Sequence, residues 1–207
     1  MIKPQNATRA LAAVLLLLST VLLAGCINLA RAYPEKNHYA FNPQRTAEKN
    51  SAKPGEILRV QPFRINILFG DKEMIFRKGE QNFEADFYNQ YTAAPRLLIT
   101  DRIREWLGES GIYESVIESG SRLRESHILE GYIQSLYGDL RGGKAKAVIE
   151  IQFTLISAKI SESKILLEKT YSREIPLERM NPENLAAGLN RGLEEILTEF
   201  EQDLAGL

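Results

Sequence analysis

The clearest chemistry in this chain belongs to Cys26, the only cysteine among 207 residues. A lone cysteine excludes an intramolecular disulfide even in an oxidising compartment, so its thiol has another use. The residues before it say which. Lys3 and Arg9 give Met1–Arg9 two positive charges and no negative one, and Ala10–Ala24 are apolar apart from Ser19 and Thr20. A basic start, a short apolar run and small residues at the cut make a secretory signal. The run is about 15 residues, against the roughly 20 that a spanning helix needs. The pattern predicts a signal peptide over residues 1–25, cut between Gly25 and Cys26.

Leu23-Ala24-Gly25-Cys26 closely resembles the bacterial lipobox. That resemblance implies that Cys26 takes a covalent lipid and becomes the mature N-terminus. A single acyl chain holds only marginally, at about 0.8 kcal/mol per buried CH₂. Lipoproteins of this kind carry several chains, so the membrane attachment is expected to last. An Asp after the lipidated cysteine commonly favours inner-membrane retention; here the next residue is Ile27. The expected address is therefore the periplasmic face of the outer membrane rather than the inner membrane. Cleavage removes two of the 26 basic side chains and none of the 27 acidic ones, leaving a mature charge of −3. Such a balance provides no basic footprint for nucleic acid and no electrostatic docking on anionic lipid.

The other groups that could react do not assemble into a constellation. His38 and His127 stand in unrelated segments, and no second cysteine completes a zinc set. Ser110-Gly111 and Ser119-Gly120-Ser121 lack a nucleophile-elbow pattern and read as turns. The glycine-rich stretch from Gly138 to Gly143 joins two strands instead of opening a helix, which argues against a phosphate cradle. Glu84 and Asp86 share one strand face and read as solvated carboxylates without a partner base. The chain is expected to be no enzyme, with no metal and no cofactor beyond the lipid on Cys26. Trp106, Phe83 and Phe87 are assigned to the core. Tyr88 and Tyr91, placed where a strand gives way to a loop, are the candidate protein-contact residues.

The elements that must carry these residues follow from periodicity. Residues 26–55 are polar and turn-rich, with Pro34, Pro43 and Pro54, and read as a lipidated N-terminus and flexible tether. Within them His38–Phe41 is a candidate strand. Residues 56–207 form one α+β domain. Strands are expected at Ile57–Ile65, where Pro62 calls for an edge or a bulge, at Met74–Phe76, at Phe83–Tyr88 and from Tyr113. Ile128–Leu140 and Ala145–Ile156 make the clearest hairpin, followed by Ile165–Ile175. Pro95–Leu107 and a helix capped by Asn181 carry apolar stripes at helical spacing. The prediction is a mostly antiparallel sheet of about six strands with two amphipathic helices on one face.

The order of these pieces resembles the auxiliary lipoproteins of ABC-type transport systems, including the paraquat-inducible, MCE-associated type. The resemblance rests on Tyr39-Ala40-Phe41-Asn42-Pro43, Leu58–Phe63, Ile75-Phe76-Arg77, Phe87–Tyr91 with Pro95 and Trp106-Leu107, Leu129-Glu130-Gly131 with Leu136–Asp139, and the leucine-rich end through Leu204. It implies a non-enzymatic periplasmic component of a transporter that moves lipids or other hydrophobic molecules between the two membranes. The implied partners are the membrane, through the lipid anchor, and MCE-domain or permease subunits. A homo-oligomer is left open. The competing reading is a free-standing lipoprotein that assists outer-membrane assembly or activates cell-wall enzymes.

Overall fold

The structure is a computed structural model that divides into two units, Met1–Pro34 and Glu35–Leu207. It describes residues 9, 13–14, 35–51, 53–158 and 163–207. The cleavage and lipidation residues Gly25 and Cys26 lie outside the described residues. No helix among those described is long and apolar enough to cross a membrane.

The spine of the second unit is a 13-residue strand, β7 (His127–Asp139). On one side it pairs antiparallel along its length with β8 (Lys146–Ser157), which pairs in turn with β9 (Lys164–Pro176). Its other side is shared by three strands, all parallel to it. They are β2 (Lys53–Val60), β3 (Arg64–Ile65) and β4 (Glu73–Arg77). Two branches grow from this side. β6 (Tyr113–Glu118) lies parallel beyond β2. Beyond β4 lies β5 (Phe83–Tyr91), antiparallel to β4, and then β1 (Asn37–Tyr39), parallel to β5.

The sheet is thus a mixed, forked one of nine strands, which corrects the expected mostly antiparallel sheet of about six. Meander connections account for β7–β8–β9. The partners of β2 are instead reached through crossovers, and parallel strands require such connections. Pro62 marks the fork. Gln61 N–H still donates to Leu129 O (2.9 Å), and Phe63 N–H donates to Thr100 Oγ1 (3.1 Å). Pro62 lies between them with no donor to offer, so the segment, paired on both sides along β2, breaks there into β2 and β3.

Two helices cover one face. Helix α1 (Pro95–Ser110) begins on Pro95 and ends at Gly111, whose φ of 72° is the left-handed stop that glycine adopts freely. Helix α2 (Pro182–Ala205) is capped by Asn181, whose side chain accepts from Asn184 N–H (2.7 Å). It buries Leu185, Leu189, Leu193, Ile196, Leu197, Phe200 and Leu204. Gly188 and Gly192 let it lie close on β8: a Cβ there would come within 2.7 Å of Ala147 Cβ and 2.6 Å of Ile149 Cγ2. At the centre, Phe153 stacks on Phe200 at 4.1 Å and takes Phe63 and Tyr171 edge-on.

An ionic seam joins β9 to α2. Lys169 bridges Glu199 (2.8 Å) and Asp203 (2.7 Å), and Arg173 donates to Glu199 (2.6 Å). Hydrogen bonds from Arg173 and Lys169 hold the Glu199 carboxyl below its ordinary range, and those from Lys169 and Tyr171 do the same for Asp203. Arg141 lowers Asp139 and Arg59 lowers Glu125 in the same way. A carboxyl depressed in the native state stabilises it above the unfolded-state value, and that contribution disappears as pH falls through the native one. The urea midpoint is therefore expected to hold from neutrality down to about pH 5 and to drop below about pH 4, the range of an unperturbed carboxylate. A midpoint unchanged at pH 3 would contradict this.

Candidate functional site

The chain joins the domain at the outer edge of the β4–β5–β1 branch, and the local structure there departs from simple alternation. Glu73 pairs with Gln90, but the next residue, Met74, pairs with Asp86. Phe87, Tyr88 and Asn89 are left outside the β4 ladder as a bulge. Asp86 holds the bulge shut: Oδ1 accepts from Tyr88 N–H (3.0 Å) and Asn89 N–H (3.2 Å), and Oδ2 accepts from Asn89 Nδ2 (2.8 Å). Asn89 Oδ1 in turn accepts from Asn37 Nδ2 (3.0 Å) and the Tyr39 hydroxyl (3.3 Å), which ties β1 to the bulge.

The bulge turns two rings outward. Phe87 is 59% exposed and Tyr88 40%. They meet edge to face at 5.4 Å, and Lys36 Nζ sits 3.8 Å over the Phe87 ring. Tyr88 is thus exposed as expected. Phe87, assigned to the core by period-two alternation, is not buried, because the bulge breaks that alternation. Tyr91 also requires correction as a contact residue. The strand runs on to Tyr91 instead of ending at Tyr88. Its ring is buried and stacks on Phe41 at 5.3 Å, and burial raises its hydroxyl pKa above the ordinary value.

The expected tether is corrected too over its described part. Residues 40–50 form a strap across the helices. Asn190 Oδ1 accepts from Asn42 N–H (2.5 Å), and Asn190 Nδ2 donates to Ala40 O (3.2 Å). Gln44 N–H donates to Glu194 Oε2 (3.1 Å). Arg45 makes a two-pronged pair with Glu201 (2.9 and 2.8 Å) and donates to the carbonyls of Ala47 and Glu48. Glu201 also accepts from Trp106 Nε1 (2.8 Å) and Asn50 Nδ2 (3.1 Å). The hydrogen bond to Glu201 raises the Arg45 pKa further.

The remaining polar candidates have structural work. Ser110 Oγ donates to Leu107 O (2.7 Å) at the end of α1. Arg59, buried, gathers the 118–125 loop by donating to the carbonyls of Glu118, Ser119, Ser121 and Leu123 and to Glu125. Glu84 pairs with Lys78, while Asp86 is spent on the bulge, so the two carboxylates do not act together. His38 is exposed on β1. His127 Nδ1 lies 3.0 Å from Glu56 Oε2, with the Tyr113 ring edge-on at 5.6 Å. Arg141 grips Asp139 and Glu80, and Arg77 also reaches Glu80. Among the described residues no group of three or more His, Cys, Asp or Glu could hold a metal ion.

A second apolar surface went unread in the sequence. Asn66 caps a 3₁₀ turn, Ile67–Phe69, by accepting from Leu68 N–H (3.1 Å). Phe69 is buried against Phe83 and Tyr137, whereas Ile67 is 91% exposed and Leu68 53%. The knob lies between β3 and β4 in the chain and packs against β4 and β7. Its Asn-capped, Gly70-ended spacing was the available signal.

No family model matches the chain, and no curated protein matches it significantly. Solved structures do. A Xanthomonas campestris protein of the DUF330 family is similar with a TM-score of 0.71 at 15% identity, over 80% of this chain and 92% of that one. An uncharacterised protein gives 0.60 at 10% identity, over 76% and 99%. A hypothetical protein from Chlamydia trachomatis gives 0.52 at 7% identity, over 73% and 99%. At these identities the shared property is the α+β fold.

Proposed function

We propose that this is a lipid-anchored, non-enzymatic protein of the bacterial envelope that acts by contact. We assign it as the outer-membrane auxiliary component of an ABC-type, MCE-associated system moving lipids or other hydrophobic molecules between the membranes. The observation that carries the reading is the signal with Leu23-Ala24-Gly25-Cys26, placed nine residues ahead of the compact unit that starts at Glu35. Arg45, Arg59, Glu84, Asp86, Ser110 and Glu201 are engaged in clasps, caps and seams, which supports contact over catalysis. Ile67 and Leu68 supply an apolar surface suited to a protein partner. The resemblance to the transport lipoproteins supplies the partner class, namely permease or MCE-domain subunits.

Replacing Cys26 with Ser is expected to abolish palmitate labelling and to release the protein from the membrane fraction. In the lipidated protein, Ile67→Asp with Leu68→Asp is expected to weaken copurification with a permease or MCE subunit while leaving the fold intact by circular dichroism. Retention of the Cys26→Ser protein in membranes would sink the anchoring. Absence of any transporter subunit from wild-type copurification would sink the partner assignment.

A further inference from the structure

We infer that the exposed Phe87–Tyr88 bulge, with Lys36, rests on the lipid bilayer beside the anchor, so that the domain is seated on the membrane and not merely leashed to it. The inference builds on the anchoring reading above and adds a second point of attachment. The first consideration is reach. Nine residue steps separate Cys26 from Glu35, and an extended chain spans at most about 3.6 Å per residue, so Glu35 stays within roughly 30 Å of the lipidated sulphur. The edge into which the anchored segment leads is β1, which is hydrogen-bonded to β5 at Asn89, the last residue of the bulge.

The second consideration is what that edge presents. Phe87 is, after Ile67, the most exposed large apolar side chain of the described domain, Tyr88 beside it is exposed too, and both are held out by a bulge that Asp86 locks. An aromatic ring with a polar tip beside a lysine has the amphipathic make-up of residues that collect at the level of lipid headgroups. Lys36 can lay its stem along the ring and keep its ammonium in the polar layer. No excess of cations surrounds the bulge: the nearby stretches carry Lys36, Lys72 and Lys78 against Glu35, Asp71, Glu73, Glu84 and Asp86. The contact is therefore carried by the rings and not by net charge. A weak interaction suffices, because the anchor converts it into an intramolecular event at high effective concentration.

The test uses the full lipidated chain in phosphatidylethanolamine–phosphatidylglycerol vesicles containing lipids brominated on their acyl chains. Phe87→Trp places a reporter in the bulge, and Ile165→Trp places one on an exposed site at the far end of the β8–β9 hairpin. Buried Trp106 is the reference common to both. Trp at position 87 is expected to lose most of its emission to the brominated lipid, with no change on raising salt, while Trp at position 165 keeps its emission. Acyl mass at Cys26 is measured on the same sample. A lipidated protein in which position 87 is quenched no more than position 165 overturns the inference and leaves the bulge to a protein partner. A chain without an acyl group overturns the anchoring and the seating together, and the mass distinguishes the two failures.

Discussion

Gly131→Ala is expected to destabilise the domain by about 3 kcal/mol or more, at or above the top of the usual range for forcing volume into a packed core. A Cβ on Gly131 would stand 2.0 Å from Phe63 Cε2 and 2.2 Å from Cδ2, well inside contact distance. The ring has nowhere to retreat. Phe63 is 1% exposed, lies over β7 at Gly131, and meets Phe153 edge-on at 5.6 Å. Phe153 is itself the cross-strand partner of Gly131 and is stacked on Phe200. The methyl would therefore drive the Phe63 ring into the packed layer between the sheet and α2. A net stability of about 5–15 kcal/mol leaves little margin for such a change. Urea titration is expected to show a lower midpoint with an unchanged slope. Trimming the ring should relieve the strain, so Phe63→Leu with Gly131→Ala is expected to be more stable than the sum of the two single costs predicts. A Gly131→Ala midpoint equal to wild type would contradict the close approach.

The same glycine shows why some of the fold was legible in the sequence and some was not. Elements whose signal is local were readable. The Asn181 cap, the apolar stripe of α2, and the alternation of β8 from Ala147 to Leu155 each depend on neighbours within a few residues. Gly131 carried no local signal, because the reason for it is a ring 68 residues away in sequence. The fork is non-local in the same sense. Nothing between Ile57 and Val60 announces that its partners are His127–Leu129 on one side and Ser115–Glu118 on the other.

The candidate site divides along the same line. Cys26 is defined by the residues directly before it. The exposure of Tyr88 was legible and that of Phe87 was not, because the alternation Phe83, Ala85, Phe87 holds only while the ladder does, and the ladder breaks after Asp86. An Asp three residues before an Asn, able to close on the intervening backbone, was the available warning. The strap misled through composition. Asn42, Gln44, Arg45 and Asn50 read as polar tether, yet each finds a partner on a helix or at its end. Glu201 misled in the opposite way. Its type and place among the glutamates near the end of α2 suggest a solvated carboxylate, yet it is buried because a cation from the strap meets it there.

That buried pair sets the second large effect. Arg45→Ala is expected to cost about 3–5 kcal/mol, the range for removing one member of a buried ion pair and leaving its partner uncompensated. Both side chains are at least nine-tenths hidden, 5% and 8% exposed, so salt will not screen the loss. Trp106 Nε1 and Asn50 Nδ2 would remain as donors to Glu201, but both are neutral. The effect should also be local in a way that a core cavity is not. Arg45 joins the strap to α2 and, through the shared carboxylate, to α1, so its loss should free residues 42–49 first. Limited proteolysis is expected to cut there in Arg45→Ala before the domain unfolds, while wild type resists. Glu201→Gln keeps the shape and the acceptor for Trp106 but removes the charge, and Arg45→Met removes the cation while filling its volume. The double variant is expected to be more stable than the two single costs predict, since neither charge is then left alone in the interior. An Arg45→Ala protein within about 1 kcal/mol of wild type, the scale of an exposed pair, would show that the strap is held on the helices by its backbone contacts and not by the pair.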